Sequence, residues 1–490
     1  MDPSSNLSHD VELLCELSPM QQAMLFHSLL APGSGVYVVQ LALRLTGPLD
    51  VLALERAFQH VVARHGILRT AFHWEDLEKP LQVVYRAVDL GIARESWRGL
   101  DLAEQQARLA RYLDADRERG FELTAAPLMR LALFALGSGV HQLVWTQHHL
   151  LVDGWSRGQL LAELFTAYRQ FAAGSEPWEE RPRGFDAYIA WLQEQDLEEA
   201  EAFWRRALAG FTSPTFVAGG DEKSGPTYRE SRRQERVLSG ETTAALREVA
   251  RRNRLTLNTL VQGAWALLLA RASGSGDVVF GTTVSGRPAD LPGVESIVGP
   301  FINTQPMRVE VAPERRLVEW LAGLQERQVE MRLYEYAPLV EVQRWSELPS
   351  GVALFDHLLV FENLPLQSEL AKRVPELQIS EVTANELTNY PLNVVVVPGQ
   401  ELSLTILYDS GRFEASAVAR ILEHLAGLLA TFAADPDRAV GELPVLLPAE
   451  RQQARVEWND TASAFPREAS VSELFAAQVA MGPEAMAVVG

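Results

Sequence analysis

His148-His149-Leu150-Leu151-Val152-Asp153-Gly154, in the middle of "TQHHLLVDGWSRGQLL", carries side chains suited to proton handling near neutral pH. An imidazole titrates close to the working pH and can take, hold or position a proton. An aspartate four residues past the second histidine can orient the ring or lock the loop by pairing with an arginine, and the glycine lets the chain turn tightly with its N–H accessible. A metal site is not expected: adjacent strand residues point to opposite faces, so the two histidines cannot easily share an ion, and no HExxH helix or second ligand cluster accompanies them. A serine nucleophile is missing as well, since there is no G-x-S-x-G and "VSGRP" is not an elbow. The nucleophile would then come with the substrate. The bland alternative is a satisfied core histidine beside a turn aspartate.

The apolar runs "LMRLALFAL" and "VHQLVWTQHHL" flank Gly137-Ser138-Gly139, a composition that predicts a tight hairpin with the histidine pair at a strand end. Ser156 and Gln159 have capping-box spacing, and Leu160, Leu161, Leu164, Phe165 and Tyr168 continue with helical period up to Gly174. The motif therefore sits between a strand and a helix. Upstream, Ser18 and Gln21 cap a helix over "MQQAMLFHSLL", "DVLALERAFQHVVARHG" reads as a helix with Gly66 at its C-cap, and "ILRTAFHWE" reads as a strand. "GGDEKSGP" is a loop. The second half repeats the alternation, with a helix near 315–332, strands in "DVVFGTTVSG", "DHLLVFEN", "LNVVVVPG" and "LSLTILYD", and a closing helix near 414–434. This predicts an α/β fold and suggests two related lobes.

Of 490 residues, 47% are hydrophobic and 22% charged, enough for large cores in two or three domains. A net charge of -20 argues against a nucleic-acid partner. The single cysteine, Cys15, excludes an intramolecular disulfide and a multi-cysteine metal site and fits a reducing, cytoplasmic setting. Acids with no lysine or arginine precede the first apolar run, the wrong order for a secretory signal. No stretch is expected to approach the roughly 18 uninterrupted apolar residues of a membrane span. From Ala434 the composition is that of a linker, and "VSELFAAQVAMGPEAMAVVG" predicts a helix followed by a strand.

Taken in order, "LSPMQQAMLFHSLL", "RHGILRTAF", "HHLLVDGWS", "YIAW", "VVFGTTVSGRP", "IVGPFINTQPMRV" and "HLLVFENLP" resemble the successive motifs of the nonribosomal peptide synthetase condensation domain, whose signature is HHxxxDG. The resemblance implies a V-shaped pseudo-dimer of two chloramphenicol-acetyltransferase-like lobes with the active site at their junction. It divides the chain into an upstream linker (1–17), an N-terminal lobe (18–178), a C-terminal lobe (179–448), and a linker with the truncated start of an adenylation domain (449–490). It also implies amide-bond formation: the amine of an aminoacyl thioester on a downstream carrier protein attacks the acyl or peptidyl thioester on an upstream one. The phosphopantetheine arms belong to the carriers, so no cofactor is expected on a domain that acts as a monomer.

On the same resemblance, His149 is the catalytic histidine, as a general base or as a group that positions the amine and stabilises the tetrahedral intermediate. His148 supports the loop. Asp153 is structural and pairs with Arg287 of "VSGRP"; stranding one charge of a buried pair would cost about 3–5 kcal/mol. Gly154 serves backbone approach, Trp155 is a packing or substrate-contact residue, and Ser156 is read as the helix N-cap. Met24, Phe26, Trp155, Ser285 and Asn303 are candidates for the substrate tunnel, with "IVGPFINT" as its floor. Ala187 in "YIAW" departs from the family, where an aspartate is common. Intact histidines argue against a cyclisation domain, and the order Asp153-Gly154-Trp155-Ser156 against an epimerisation domain. A D-configured donor with an L-configured acceptor is the favoured subtype. The alternatives are a free-standing coenzyme A-dependent acyltransferase, and a catalytically silent platform that recruits carrier or tailoring proteins.

Overall fold

In a computed structural model, residues 10–217, 231–362, 376–464 and 468–486 are described. The "GGDEKSGP" loop, the end of "HLLVFENLP" and residues 487–490 of the expected final strand lie outside them. The chain forms two compact units, residues 1–445 and 446–490.

Period-two patterning produces three sheets in the first unit. In chain order the strands are β1 (Val11–Glu16), β2 (Val38–Thr46), β3 (Thr70–His73), β4 (Leu81–Tyr85), β5 (Ile92–Ser96), β6 (Met129–Gly137), β7 (Val140–His148), β8 (Ser231–Val237), β9 (Asp277–Val284), β10 (Asn303–Glu310), β11 (His357–Phe361), β12 (Gln378–Asn385), β13 (Leu392–Val397) and β14 (Ser403–Asp409). A small sheet runs β1-β4-β3, a five-stranded sheet β12-β2-β7-β6-β5, and a six-stranded sheet β10-β9-β11-β13-β14-β8. Strand β12, from the second half of the chain, lies antiparallel on the edge of β2 and so completes the sheet that carries the histidines.

The helices that frame the site are α1 (Pro19–Leu30), α2 (Val51–Arg64), α3 (Leu102–Arg119) and α4 (Gly154–Ala172). The Ser18–Gln21 capping box forms with both of its reciprocal hydrogen bonds. The Gly137–Gly139 hairpin also forms, with Gly139 at φ +68° between β6 and β7. Gly66 is not a left-handed cap: α2 closes on extended His65, and Gly66 opens a 3₁₀ turn to Arg69, which leaves only Thr70–His73 of "ILRTAFHWE" as strand. Leu143 and Trp145 of β7 face a core shared with α2 and α4, whereas Val144 packs with Trp97, Ala132 and Phe134 on the α3 side. Ile297, Val298 and Phe301 from the second half join the first of these cores. Burial of each such side chain contributes about 1.5–3 kcal/mol.

The six-stranded sheet is covered by α5 (Leu257–Ser273), α6 (Leu317–Arg332) and α7 (Ala415–Ala434). By length and composition alone α7 could cross a membrane, although it is not an uninterrupted apolar run. Its Val418, Leu422, Leu425, Leu428, Leu429 and Phe432 are buried in the core of this unit, and Arg420, Glu423 and His424 interrupt the run. The second unit contains α8 (Val471–Met481), capped by Ser470 and Glu473.

Candidate active site at the β7–α4 loop

Strand β7 stays held to its last residue. The N–H of His148 donates to the Leu128 carbonyl (2.9 Å), and that of His149 donates to the Tyr37 carbonyl (2.8 Å). Leu150, Leu151 and Val152 then turn fully into the core, which brings Asp153 to the start of α4. Asp153, not Ser156, is the N-cap: its Oδ1 accepts from the Ser156 N–H at 2.7 Å. A D-x-x-S spacing fits a cap as well as S-x-x-Q does, and the helix starts at the earlier residue.

Asp153 is completely buried, and its other oxygen accepts from the N–H groups of Phe301 (3.0 Å) and Ile302 (3.3 Å) in the "IVGPFINT" segment. Arg287 approaches it only to 3.9 Å. The guanidinium instead donates to Ser156 Oγ (2.8 Å) and to the carbonyls of Val294 (2.6 Å) and Ile297 (3.0 Å), stacked over Phe301. Ser156 Oγ in turn donates to the Gly299 carbonyl (2.7 Å) and accepts from its N–H (3.1 Å). The expected ion pair is present at 3.9 Å but without a direct hydrogen bond, because the carboxylate accepts from three N–H donors and Ser156 links the two residues. Gly286, at φ +61°, has the Phe301 carbonyl where a Cβ would stand, which requires glycine beside Arg287.

His148 is buried with both ring nitrogens engaged. Nδ1 accepts from the Leu150 N–H (3.2 Å), so Nε2 carries the proton toward Ser28 Oγ (3.2 Å), and that hydroxyl donates to the Met24 carbonyl (2.8 Å). Burial, followed by the neighbouring His149, pushes its pKa down to about 3.

His149 points the other way. Its Nε2 lies 3.0 Å from Glu386 Oε1, Tyr37 places a ring edge-on at 6.4 Å, and Nδ1 is buried with no hydrogen-bond partner among the described residues. Burial lowers the imidazole pKa, but the Glu386 carboxylate more than reverses this and raises it above the ordinary value. Burial raises the Glu386 pKa, and His149 and then Arg157 outweigh it and bring it to about 2. The register explains the meeting: Asn385 of β12 pairs with Gln40 of β2, and His148 of β7 pairs with Val38. Tyr37, at φ +60°, donates its N–H to the Leu387 carbonyl (2.8 Å) and its hydroxyl to Asn389 Oδ1 (2.7 Å). Imidazole and carboxylate therefore emerge from opposite flanks of the same strand end.

A family model described as the condensation domain matches residues 11–454. The chain belongs to the condensation domain family. It is 45% identical over 494 residues to one of the linear gramicidin synthase proteins of Brevibacillus parabrevis, covering 100% of this chain and 6% of that protein. It spans 10% and 9% of the length of two further linear gramicidin synthase proteins from the same organism. Among solved structures, the X-domain in complex with OxyB from teicoplanin biosynthesis is similar with TM-score 0.73 and 28% identity over 88% of this chain and 96% of that one. The first condensation domain of the calcium-dependent antibiotic synthetase, in complex with a substrate analogue, is similar with TM-score 0.73 and 20% identity over 88% of this chain and 100% of that one. The fold is the chloramphenicol-acetyltransferase-like pseudo-dimer, and the family is an amide-bond-forming, acyltransferase-type unit of nonribosomal peptide synthetases.

Within this condensation domain the other candidate residues are dispersed. Met24 packs in the core and Phe26, on the opposite side of α1, is 61% exposed. Trp155 is exposed, 5.8 Å from the Arg287 guanidinium, and Ser285 is exposed at the end of β9. Asn303 spends its amide on the carbonyls of Glu335 (2.8 Å) and Ala337 (2.9 Å) and its oxygen on the Thr304 N–H (2.9 Å). A Cβ at Gly154 would meet only Arg157, at 3.8 Å, so packing within the chain does not demand glycine there. Sequence reasoning missed Glu386, Tyr37 and Arg157. Arg157 is buried beside Glu386 and Glu362, with Nε and Nη1 free of hydrogen bonds among the described residues. An arginine one residue past Ser156 on an apolar helix was the available signal.

Proposed function

We propose that this chain joins an upstream carrier-bound acyl or peptidyl thioester to the amine of a downstream carrier-bound aminoacyl thioester, and so moves the growing chain downstream by one residue. The observation that carries this reading is the buried His149 ring, pinned through its main chain at the end of β7 and through Nε2 by Glu386. A thioester is already activated, so holding amine and carbonyl in register supplies much of the rate: orientation of two bound reactants is worth about 7–11 kcal/mol. Proton transfer by a positioned imidazole adds roughly 100- to 10,000-fold. His149 and the Gly154 N–H are the groups that face the reaction, while His148, Asp153 and Arg287 hold the loop.

Phosphopantetheine arms on both carriers present the substrates, residues 449–490 are a linker and the start of an adenylation domain, and the protein works as a cytoplasmic monomer. The strings "HHLLVDGWS" and "LSPMQQAMLFHSLL" favour a D-configured donor with an L-configured acceptor. The test is a mass-spectrometric assay with both carriers loaded: amide product from the D-donor in excess over the L-donor is expected, and no product from either overturns the reading. Likeness to the X-domain that forms a complex with OxyB gives a second reading, a silent platform. Under it, this chain would retain a partner protein without converting any loaded donor.

A further inference from the structure

A neutral imidazole offers one N–H and one lone pair. In this site Nε2 of His149 faces the Glu386 carboxylate at 3.0 Å, while Nδ1 is buried with no hydrogen-bond partner among the described residues. With a proton on Nε2 directed at the carboxylate, that nitrogen has no lone pair with which to receive another. A group that serves an ammonium substrate cannot remain in that state through the reaction.

We propose that Glu386 is the docking carboxylate for the acceptor's α-ammonium, and that the ammonium, by taking over the carboxylate, displaces the Nε2 proton and uncovers His149 as a base. This rests on the reading of the chain as an amide-forming domain and names the group that recognises its acceptor.

Charge and geometry support it. The groups around the pair are Arg157 from α4, Glu362 next to β11, and His148 on the far side of the strand; His148 is held neutral by burial. Imidazolium and Arg157 face the Glu386 carboxylate, while burial favours the neutral form of Glu362. An ammonium that enters adds one positive charge, and release of the Nε2 proton to solvent removes one. With Glu386 occupied by substrate, burial is the dominant influence left on His149 and favours its neutral form.

The steps close. Nε2 takes one proton from the ammonium; the amine lone pair forms the C–N bond as the carbonyl π pair moves to oxygen. The tetrahedral species re-forms its carbonyl, breaks the C–S bond, and the departing thiolate takes the proton from Nε2. The second ammonium proton leaves to solvent, so one ammonium and one thioester give one amide, one thiol and one proton.

Two measurements test this. Calorimetric binding of an aminoacyl pantetheine acceptor to the wild-type chain, in buffers of different ionisation enthalpy near neutral pH, should show release of about one proton, and the isosteric α-hydroxy acyl analogue should show none. Equal proton release by both ligands overturns the proposal without any variant. In Glu386→Gln the acceptor KM should rise about ten- to a hundredfold, the scale of one charge-assisted hydrogen bond, with a smaller change in kcat. The acid limb of its kcat/KM profile should move to lower pH. Unchanged acceptor KM and an unmoved acid limb, in a variant that still forms amide, sink the role of Glu386 alone. Absence of amide from the wild-type chain sinks the underlying reading instead.

Discussion

His148 and His149 share a peptide bond, yet the first turns to Ser28 and the Leu150 N–H and the second to Glu386 and Tyr37. Successive strand residues face opposite sides, so the end of β7 presents one imidazole to each of two environments. On the His148 side the partners are a hydroxyl and an amide, and desolvation goes unopposed. On the His149 side a carboxylate reverses it. The same side chain is thus driven toward its neutral form in one position and toward its protonated form in the next, and the partners decide which.

The largest expected effect comes from what both sides share. Asp153→Ala leaves three buried N–H groups without an acceptor and should cost about 3–5 kcal/mol, read by calorimetry as a fall in Tm. A Tm at the wild-type value would mean that the loop is held by something other than this cap. In double-mutant cycles Arg287 should couple more strongly to Ser156 than to Asp153, since the hydrogen bond goes to the hydroxyl at 2.8 Å and the carboxylate lies at 3.9 Å.

Next, His149→Ala should lower amide formation at least about a hundredfold, a kinetic loss that outweighs the stability lost with the Glu386 pair. His148→Asn should do the reverse, losing stability with a modest change in rate. Matching kinetic losses in the two variants would erase the distinction between the faces.

The pH dependence of stability separates the histidines more finely. With its folded pKa pushed to about 3 from 6.5, His148 stays unprotonated while the unfolded chain takes up a proton, so it should weaken the fold as pH falls from about 6.5 toward about 3. His149 has a raised pKa, so its contribution is complete below 6.5 and is lost as pH climbs through the higher folded value. Glu386 contributes above its ordinary 4.5 and loses that contribution as pH falls toward about 2. Denaturant titrations across pH should show His148→Asn flattening the fall on the acid side, and Glu386→Gln removing the alkaline loss. Curves that shift in parallel would contradict the assignment. The smallest effect is expected from Gly154→Ala: a Cβ fits there, so stability should stay within about 0.5 kcal/mol. Any loss of rate in that variant would report contact with substrate.

Local signals were legible wherever the relevant physics is local. The Ser18–Gln21 cap, the Gly139 hairpin and the strand-end position of the histidines all depend on residues within a few positions of one another. The Ser156 cap failed because two overlapping spacings competed, and the Ser156 hydroxyl had a better use in joining Gly299 to Arg287. Glu386 was invisible for a different reason. Nothing near "TANELTNY" marks an acid as a histidine partner until β12 is paired on β2, and that pairing joins residues from opposite halves of the chain.

That pairing also fixes an order of assembly. Strand β2 has emerged long before β12 is synthesised, and until then it presents an open edge of the kind that recruits other chains. Contacts so distant in sequence form late and slowly. A nascent chain stopped before residue 376 would carry the signature histidines on an unprotected sheet, with no Glu386 beside them. Such a fragment should stick to its copies and need a chaperone to hold it. Completion of the second half is then also the step that makes the first half safe to release.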